Sequence, residues 1–528
     1  LERFRLFANG PLHFLSFPFT IIWNQVVKTI IFISNNWRLS KIMNNKIQLI
    51  TYVDRFGCEN LNDLNSLFKK ELKGLFGGVH ILPFFNPIDG EDAGFDPVDH
   101  QLIDPRLGEW DDLLELGKSV EVMADLIVNH ISSKSMQFQD FLQKGQQSEY
   151  VNLFLSFDHV FPAGATEADL LGIYRPRPGF PFTTFKFLDG SSRLIWTTFT
   201  GSQVDINVHS KEGIKYLNGI LSTFQRAGIK QIRLDAAGYA VKKQGTSCFM
   251  IPETFEFINE LTEVAHGKNM EVLVEIHSHH QTQIEIAAKV DYVYDFALPV
   301  LVLDTIFHQD ASNLLSWLSI SPRNAFTVLD THDGIGIIDV AAEGEKPGLI
   351  NSDRLSDIVE QIHINTGGKS KKATGAAASN LDLYQVNTTY YNALGADDQK
   401  YLLARAIQFF APGIPQVYYM GLLAGSNDME LLAKTNVGRD INRHYYSAQE
   451  LLDALQKPVV IKLVELIKFR NSHPAFNGEI YLQNADPKKL NITWSNVNSY
   501  ATLEADLKTG HFSITFSDAL HQAVEKRF

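Results

Sequence analysis

The chain has 528 residues, 45% of them hydrophobic and 20% charged, ordinary values for a globular protein with a large core. Its 60 acidic and 47 basic residues leave a formal net charge of −13, which argues against a nucleic acid or an anionic membrane surface as the main partner. Two cysteines, Cys58 and Cys248, exclude a disulfide framework and point to a reducing, cytoplasmic setting.

Residues 1–42 differ from the rest. They carry Arg3, Arg5, Lys28, Arg38 and Lys41 against the single acid Glu2. The stretch from Leu12 to Ile33 is apolar, but Pro18, Asn24, Gln25 and Lys28 interrupt it. A membrane-spanning helix wants about 20 nearly uninterrupted apolar residues, and no small-residue cleavage site follows as in a signal peptide. The segment reads as translated upstream sequence. Met43, which opens MNNKIQLITY, is the expected start.

From there, short apolar runs alternate with helical stretches. The runs are IQLITY (47–52), GVHILPF (78–84), VEVMADLIV (120–128), KQIRLDAA (230–237), EVLVEI (271–276), DYVYDFAL (291–298), AFTVLD (325–330) and IPQVYY (414–419). Near-continuous apolar runs suit parallel strands covered on both faces. Eight of them with helices between predict an α/β protein built on a (β/α)8 barrel. A doubly wound open sheet is the alternative, but no glycine-rich phosphate fingerprint follows the first run.

Two connections are too long for one helix. One includes the Pro/Gly/Phe-rich YRPRPGFPF (174–182), the other the low-complexity GGKSKKATGAAASN (367–380). Such lengths are usually functional insertions. The expected organisation is barrel over 43–128, an inserted loop-rich subdomain over 129–209, barrel over 210–334, a second insertion over 335–395 and barrel over 396–475. LNITWS, YATLEADL and HFSITFS then alternate like half-exposed strands, predicting a small antiparallel β domain over 476–528.

Active residues of such barrels sit at the C-terminal ends of the strands. Those ends hold Asp125, Asn129 and His130 (third run), Arg233 and Asp235 (fourth), Glu275 and His277 (fifth), and Asp330, His332 and Asp333 (seventh). A lone strand-end Asp is usually a loop or helix cap, and Asp125 is expected to tie down a loop. His277, His279 and His280 resemble metal ligands but lack a fixed carboxylate spacing. Four clusters at one end of four strands are harder to dismiss. Retaining glycoside cleavage needs a carboxylate nucleophile and a carboxylic acid about 5–5.5 Å apart, and adjacent strands four and five can bring Asp235 and Glu275 to that range. Arg233 lies two residues before Asp235, on the same strand face, where its guanidinium would hold the carboxylate ionised.

These four segments resemble the signature regions of the α-amylase clan. ILPFFNPIDGEDAGFDPVDH (81–100), GIYRPRPGFPFTTFKF (172–187), IRLDAAGY (232–239), GTSCFM (245–250), VLDTHDGIG (328–336), ATGAAASNLDLYQVN (373–387) and GRDINRHYY (438–446) narrow the resemblance to the sucrose phosphorylases. It runs from about Met43 to about residue 475 and does not include residues 1–42. It implies Asp235 as nucleophile, Glu275 as acid/base and Asp333 as transition-state stabiliser. It places Asp92, Phe95, His130, Phe199, Arg233, His277, His332 and Arg439 in a glucosyl pocket, although Phe199 reads equally well as a plain core aromatic. It places Tyr174, Arg177, Asp382, Tyr384 and Gln385 on two loops that hold the fructosyl unit or phosphate in turn and are expected to exchange places. Arg suits phosphate through its bidentate fork. Arg175 stays undecided, and Lys371 and Lys372 read as an exposed basic pair. The implied substrates and products are sucrose, phosphate, glucose 1-phosphate and fructose, with no cofactor and no metal. A homodimer is raised by the resemblance, though no self-complementary patch can be named. The alternatives are a related phosphorylase of sucrose 6-phosphate or of a glucosyl-glycerol compound and, with all three carboxylates present, less readily a non-catalytic amylase-like scaffold.

Overall fold

Eight parallel strands close into a barrel in the computed structural model: β1 (Gln48–Thr51), β2 (Gly78–Ile81), β3 (Glu121–Ile127), β4 (Gln231–Asp235), β5 (Glu271–Val274), β6 (Tyr292–Asp295), β7 (Ala325–Thr327) and β8 (Ile414–Tyr418). The structure describes residues 44–176, 179–374, 385–483 and 485–528. Residues 1–42, the expected start at Met43, and Arg177, Asp382 and Tyr384 lie outside the described residues.

Each expected run contains its strand, because near-total burial on both faces is what made the runs apolar. The barrel interior also carries polar groups, and these are paired. Gln48 Nε2 donates to Gln231 Oε1 at 3.0 Å, and Gln416 Nε2 donates to Gln48 Oε1 at 2.8 Å. Gly78, level with Gln48 in the β1–β2 register, leaves room for this crossing, since a Cβ there would lie 2.8 Å from the Gln48 side chain. Above that layer the β3–β4 register sets Arg233 beside Asp125. Asp125 therefore does not tie down a loop. Fully buried inside the barrel, it accepts from Arg233 Nη1 at 2.6 Å and pairs with His80 Nε2 at 3.0 Å.

Strands five to seven stop two or three residues short of their apolar runs, so the chemistry-bearing residues lie in the loops that follow. The loop after β7 is held by Asp330, whose two carboxylate oxygens accept from buried Arg405 at 2.8 and 2.7 Å. Arg405 belongs to the helix Asp398–Phe410, which is pinned to the barrel by Gln408 Nε2 donating to the carbonyls of Thr327 and Gln416. On the other side the helix Lys211–Arg226 starts at Ser210, whose hydroxyl accepts from Gly213 N. It buries Tyr216, Leu217, Ile220, Leu221 and Phe224, an apolar stripe at helical spacing.

Between β3 and β4 the chain forms the antiparallel pairs His130–Ser132 with Gln203–Asp205 and Phe182–Lys186 with Ser192–Trp196. A small core of Leu155, Phe161, Ile173, Trp196 and Cys248 lies beneath them. Lys242 Nζ, almost fully buried, ties this segment to the loop after β4 by contacts to Asp205 Oδ2 at 2.6 Å and Asn129 Oδ1 at 2.5 Å.

After the helix Pro458–Ser472 comes a five-stranded antiparallel sheet: β9 (Glu479–Gln483), β10 (Lys489–Asn496), β11 (Ser499–Asp506), β12 (Phe512–Ser517) and β13 (Ala523–Arg527). The three expected strands are its centre, with Leu490, Ile492, Trp494, Ala501, Leu503, Phe512 and Ile514 facing inward. Trp494 Nε1 donates to the carbonyl of Phe410 and fixes the sheet to the barrel. No described helix is long and apolar enough to cross a membrane.

Candidate active site

The candidate residues converge at the C-terminal mouth of the barrel. Asp92, Phe95, His130, Tyr174, Phe199, Asp235, Glu275, His277, His332, Asp333, Gln385 and Arg439 line one cavity. Arg233 lies beneath it, 2% exposed.

Asp235 ends β4 and Glu275 directly follows β5, and one guanidinium joins them. Arg233 Nη1 donates to Asp235 Oδ1 at 2.9 Å, and its Nη2 contacts Glu275 Oε1 at 3.0 Å. The other oxygen of Glu275 accepts from Ala236 N at 3.3 Å. Three carboxylates, those of Asp125, Asp235 and Glu275, thus share one positive charge. Burial pushes Asp235 well above the usual carboxylate range. Arg233 opposes this, and Glu275 and Asp125 add to it. Proton binding here is a property of the coupled site rather than of one residue.

Asp333 is balanced differently. Burial raises it, but Arg439, with Arg443, outweighs that and holds it well below the ordinary range. Arg439 Nη1 lies 2.8 Å from Asp333 Oδ1 and 3.0 Å from Asp92 Oδ2, while its Nη2 donates to Gln385 Oε1 at 3.3 Å. Asp92 adopts a left-handed conformation (φ 49°) and is gripped from its other oxygen by Arg443 Nη2 at 3.2 Å. Arg443, fully buried, also donates through Nε to the carbonyl of His332. His332 stacks on Phe95 with ring centroids 4.8 Å apart, and burial lowers it to about 3, so its ring is neutral. Burial likewise lowers His130, whose Nε2 lies 2.9 Å from the carbonyl of Phe95 and 3.1 Å from Gln203 Nε2.

An aromatic wall closes another side. Tyr174 stacks on Phe249 at 4.3 Å, Phe249 meets Tyr239 at 4.6 Å, and Tyr239 meets the edge of Phe199 at 5.2 Å. Phe199 is a half-buried wall of the cavity, not a core aromatic. Sequence reasoning missed Tyr239, Phe249 and Gln203. The first two lie inside the stretches IRLDAAGY and GTSCFM, whose aromatics were the available signal. Arg443 stands four residues after Arg439, a spacing that hints at a shared role. Asp339, which accepts from His277, has no local signal.

Arg175 points outward: exposed, it donates to the carbonyl of Gly179 and packs over Phe180. Lys371 forms a surface pair with Glu360. His279 and His280 serve the scaffold, His279 contacting the carbonyl of Pro347 and His280 meeting the edge of Trp317. Glu275, His277 and Asp333 bring potential ligand atoms within 4.8 Å of one another. The two carboxylates of that set already contact Arg233 and Arg439.

A model of the α-amylase catalytic domain matches residues 70–318. The chain is 58% identical over 476 residues to a sucrose phosphorylase of Agrobacterium vitis, covering 90% of this chain and 98% of that one. It is 53% identical to a sucrose phosphorylase of Bifidobacterium adolescentis, covering 89% and 93%. The crystal structure of sucrose 6F-phosphate phosphorylase from Thermoanaerobacter thermosaccharolyticum superposes with a TM-score of 0.86 at 39% identity, covering 93% of this chain and 99% of that one. With a barrel mouth that joins two carboxylates through one arginine, and with relatives matched along nearly their whole length, the chain belongs to the sucrose phosphorylase family of the α-amylase clan.

Proposed function

We propose that the protein catalyses the reversible phosphorolysis of sucrose to α-D-glucose 1-phosphate and D-fructose by double displacement. The observation that carries the chemistry is Arg233, whose one guanidinium holds both Asp235 and Glu275. A carboxylate and a carboxylic acid coupled through one cation suit retaining glycosyl transfer. The choice of sucrose and phosphate is supported by the two sucrose phosphorylases more than 50% identical to this chain.

In the first step an Asp235 oxygen attacks the glucosyl C1. The bond from C1 to the fructosyl oxygen breaks, and Glu275 gives that oxygen its proton. Fructose leaves, and a β-glucosyl ester remains on Asp235. In the second step a phosphate oxygen attacks C1, the ester bond breaks to regenerate the Asp235 carboxylate, and Glu275 recovers a proton from the incoming phosphate. Two inversions give net retention. Asp333 and Asp92, each paired with Arg439, are suited to grip glucosyl hydroxyls as positive charge develops on the ring. Arg177, Asp382 and Tyr384, together with Tyr174 and Gln385, are assigned to the subsite shared by fructose and phosphate, their loops exchanging between half-reactions. The setting is cytoplasmic and the assembly a homodimer, the latter to be checked by sedimentation.

The enzyme is incubated with sucrose, with and without phosphate, and glucose is resolved from glucose 1-phosphate. Glucose 1-phosphate should dominate at saturating phosphate. Predominant glucose would refute the reading, and faster turnover of sucrose 6-phosphate or of a glucosyl-glycerol compound would reassign the substrate.

A further inference from the structure

His277 stands beside Glu275 at the mouth of the barrel and is more elaborately held than a hydroxyl contact needs. Its Nδ1 lies 3.0 Å from Asp339 Oδ2. A carboxylate can only accept, so Nδ1 carries the proton and Nε2 is the free end of the ring. Asp339 is fully buried and is itself fixed by Ser278 N at 3.1 Å and Gln283 Nε2 at 2.6 Å, both donating to Oδ1. The imidazole lies flat on Phe296, with centroids 3.8 Å apart. Gly336 makes the approach feasible: a Cβ there would lie 2.8 Å from Asp339 Oδ2 and 3.3 Å from His277 Nδ1. Nε2, buried at the cavity wall, has no hydrogen-bond partner among the described residues. A ring oriented from three sides with its outer nitrogen unpaired is prepared for a ligand.

Charge selects which ligand. The charged groups around the ring are Asp339 behind it, Glu275 on its own strand end and Asp333 from the loop after β7. All three favour the imidazolium, against the cost of burial, and the balance lies on the charged side of the ordinary histidine range. Phe296, from the end of β6, is uncharged. The two nearest arginines of the cavity already serve several carboxylates each.

We propose that Asp339 is a positioning residue for the second half-reaction: it fixes the proton on Nδ1 of His277 and presents Nε2–H as a cationic donor to an oxygen of the attacking phosphate. This rests on the phosphorolytic reading above. Asp339 touches neither substrate nor reacting atoms; it acts through His277.

The test compares Asp339→Asn with the wild type in two assays. The burst of fructose from sucrose without phosphate reads glucosyl-enzyme formation, and the phosphate dependence of glucose 1-phosphate formation reads the second step. Loss of an orienting carboxylate behind a metal-ligating histidine typically costs about 10- to 100-fold, and the same scale is expected for a histidine that donates to phosphate. The Michaelis constant for phosphate should rise by about that factor, while the burst rate changes less than about threefold. The pH dependence also moves. Asp339 stabilises the charged ring, so without it the ring loses its proton at lower pH, and phosphate affinity should begin to fall at lower pH than in the wild type. If burst and phosphate dependence fall equally, Asp339 is only structural and the proposal fails. If the burst alone falls, His277 faces the glucosyl ring and the proposal also fails. Should Asp339→Asn not fold, His277→Gln carries the test: its phosphate constant must rise and lose the alkaline inflection, and an unchanged constant overturns the proposal. A wild-type enzyme that yields only glucose would instead overturn the phosphorolytic reading, before any variant is compared.

Discussion

Replacing Arg233 tests the electrostatic argument most directly, because three carboxylates contact it. Its Nη1 serves Asp125 at 2.6 Å and Asp235 at 2.9 Å, and its Nη2 serves Glu275 at 3.0 Å. Arg233→Lys keeps the charge but replaces a two-pronged fork by one point donor on a different stem. It cannot reach both ends of the present arrangement, so one or two charge-assisted bonds are lost, at about 1.5–3 kcal/mol each. The sign for Asp235 follows. Arg233 is the cation that lowers its proton affinity against burial. Weakening that pair raises the affinity further and reduces the ionised, nucleophilic fraction at any given pH. At pH 7, kcat/KM for sucrose should fall about 10²- to 10³-fold, equivalent to about 3–4 kcal/mol. The acid limb of the pH profile should move upward by about one to two units, each unit being about 1.4 kcal/mol. Arg233→Leu strands all three carboxylates and should also cost about 3–5 kcal/mol of stability. Initial rates of glucose 1-phosphate formation over a pH series, with thermal melting of each variant, separate the two effects. Arg233→Lys retaining a third of the activity with an unmoved acid limb would refute the reasoning.

Other outcomes follow from the same geometry. Asp235→Asn should bind sucrose, read by calorimetry, yet form no glucosyl-enzyme, because an amide cannot become the ester. Glu275→Gln should cripple transfer from sucrose but do far less harm with a glucosyl donor whose leaving group departs unaided; equal losses on both donors would remove Glu275 as the acid. His100, fully buried against the carbonyl of Asp125, is lowered by burial to about 4. The unfolded chain takes up that proton near pH 6.5 and the folded one does not, so stability falls as pH drops through this window. Between pH 7 and 5 the wild type should lose about 2 kcal/mol more than His100→Gln in urea titrations, and parallel slopes would contradict this.

What was legible in the sequence follows from burial and locality. The barrel strands were visible because both faces are covered, which leaves long apolar runs. The inner strands β10, β11 and β12 were visible because one face is covered, which leaves alternation. β9 and β13 were not, because they form the sheet edges: Ala523–Arg527 is exposed throughout and carries no period. Asp235, Glu275 and Asp333 were legible because barrel topology sends strand ends to one mouth. The partners that tune them were not. Asp125 looked like a loop cap, and only the β3–β4 register turns it toward Arg233. Gln203 and Asp339 reach the site through tertiary packing from segments with no pattern of their own. Lys242, buried against Asp205 and Asn129, likewise has no signal in the local sequence.

The two halves of the site divide their labour by arithmetic of charge. Around Arg233, three carboxylates face one guanidinium. That imbalance, in a buried place, raises the proton affinity of Asp235. Around Arg439 and Arg443, three carboxylates, Asp92, Asp333 and Asp440, face two guanidiniums. There the guanidiniums hold Asp333 well below the ordinary carboxylate range, as gripping a ring with developing positive charge requires. The same arithmetic bears on the acceptor. Each arginine is already matched or outnumbered by carboxylates, so neither offers surplus positive charge to a phosphate dianion. A water acceptor needs none. Under the phosphorolytic reading, phosphate must therefore meet additional cations, which makes the arginine-bearing loop around 174–180 and the oriented imidazole of His277 the places where phosphorolysis is separated from hydrolysis.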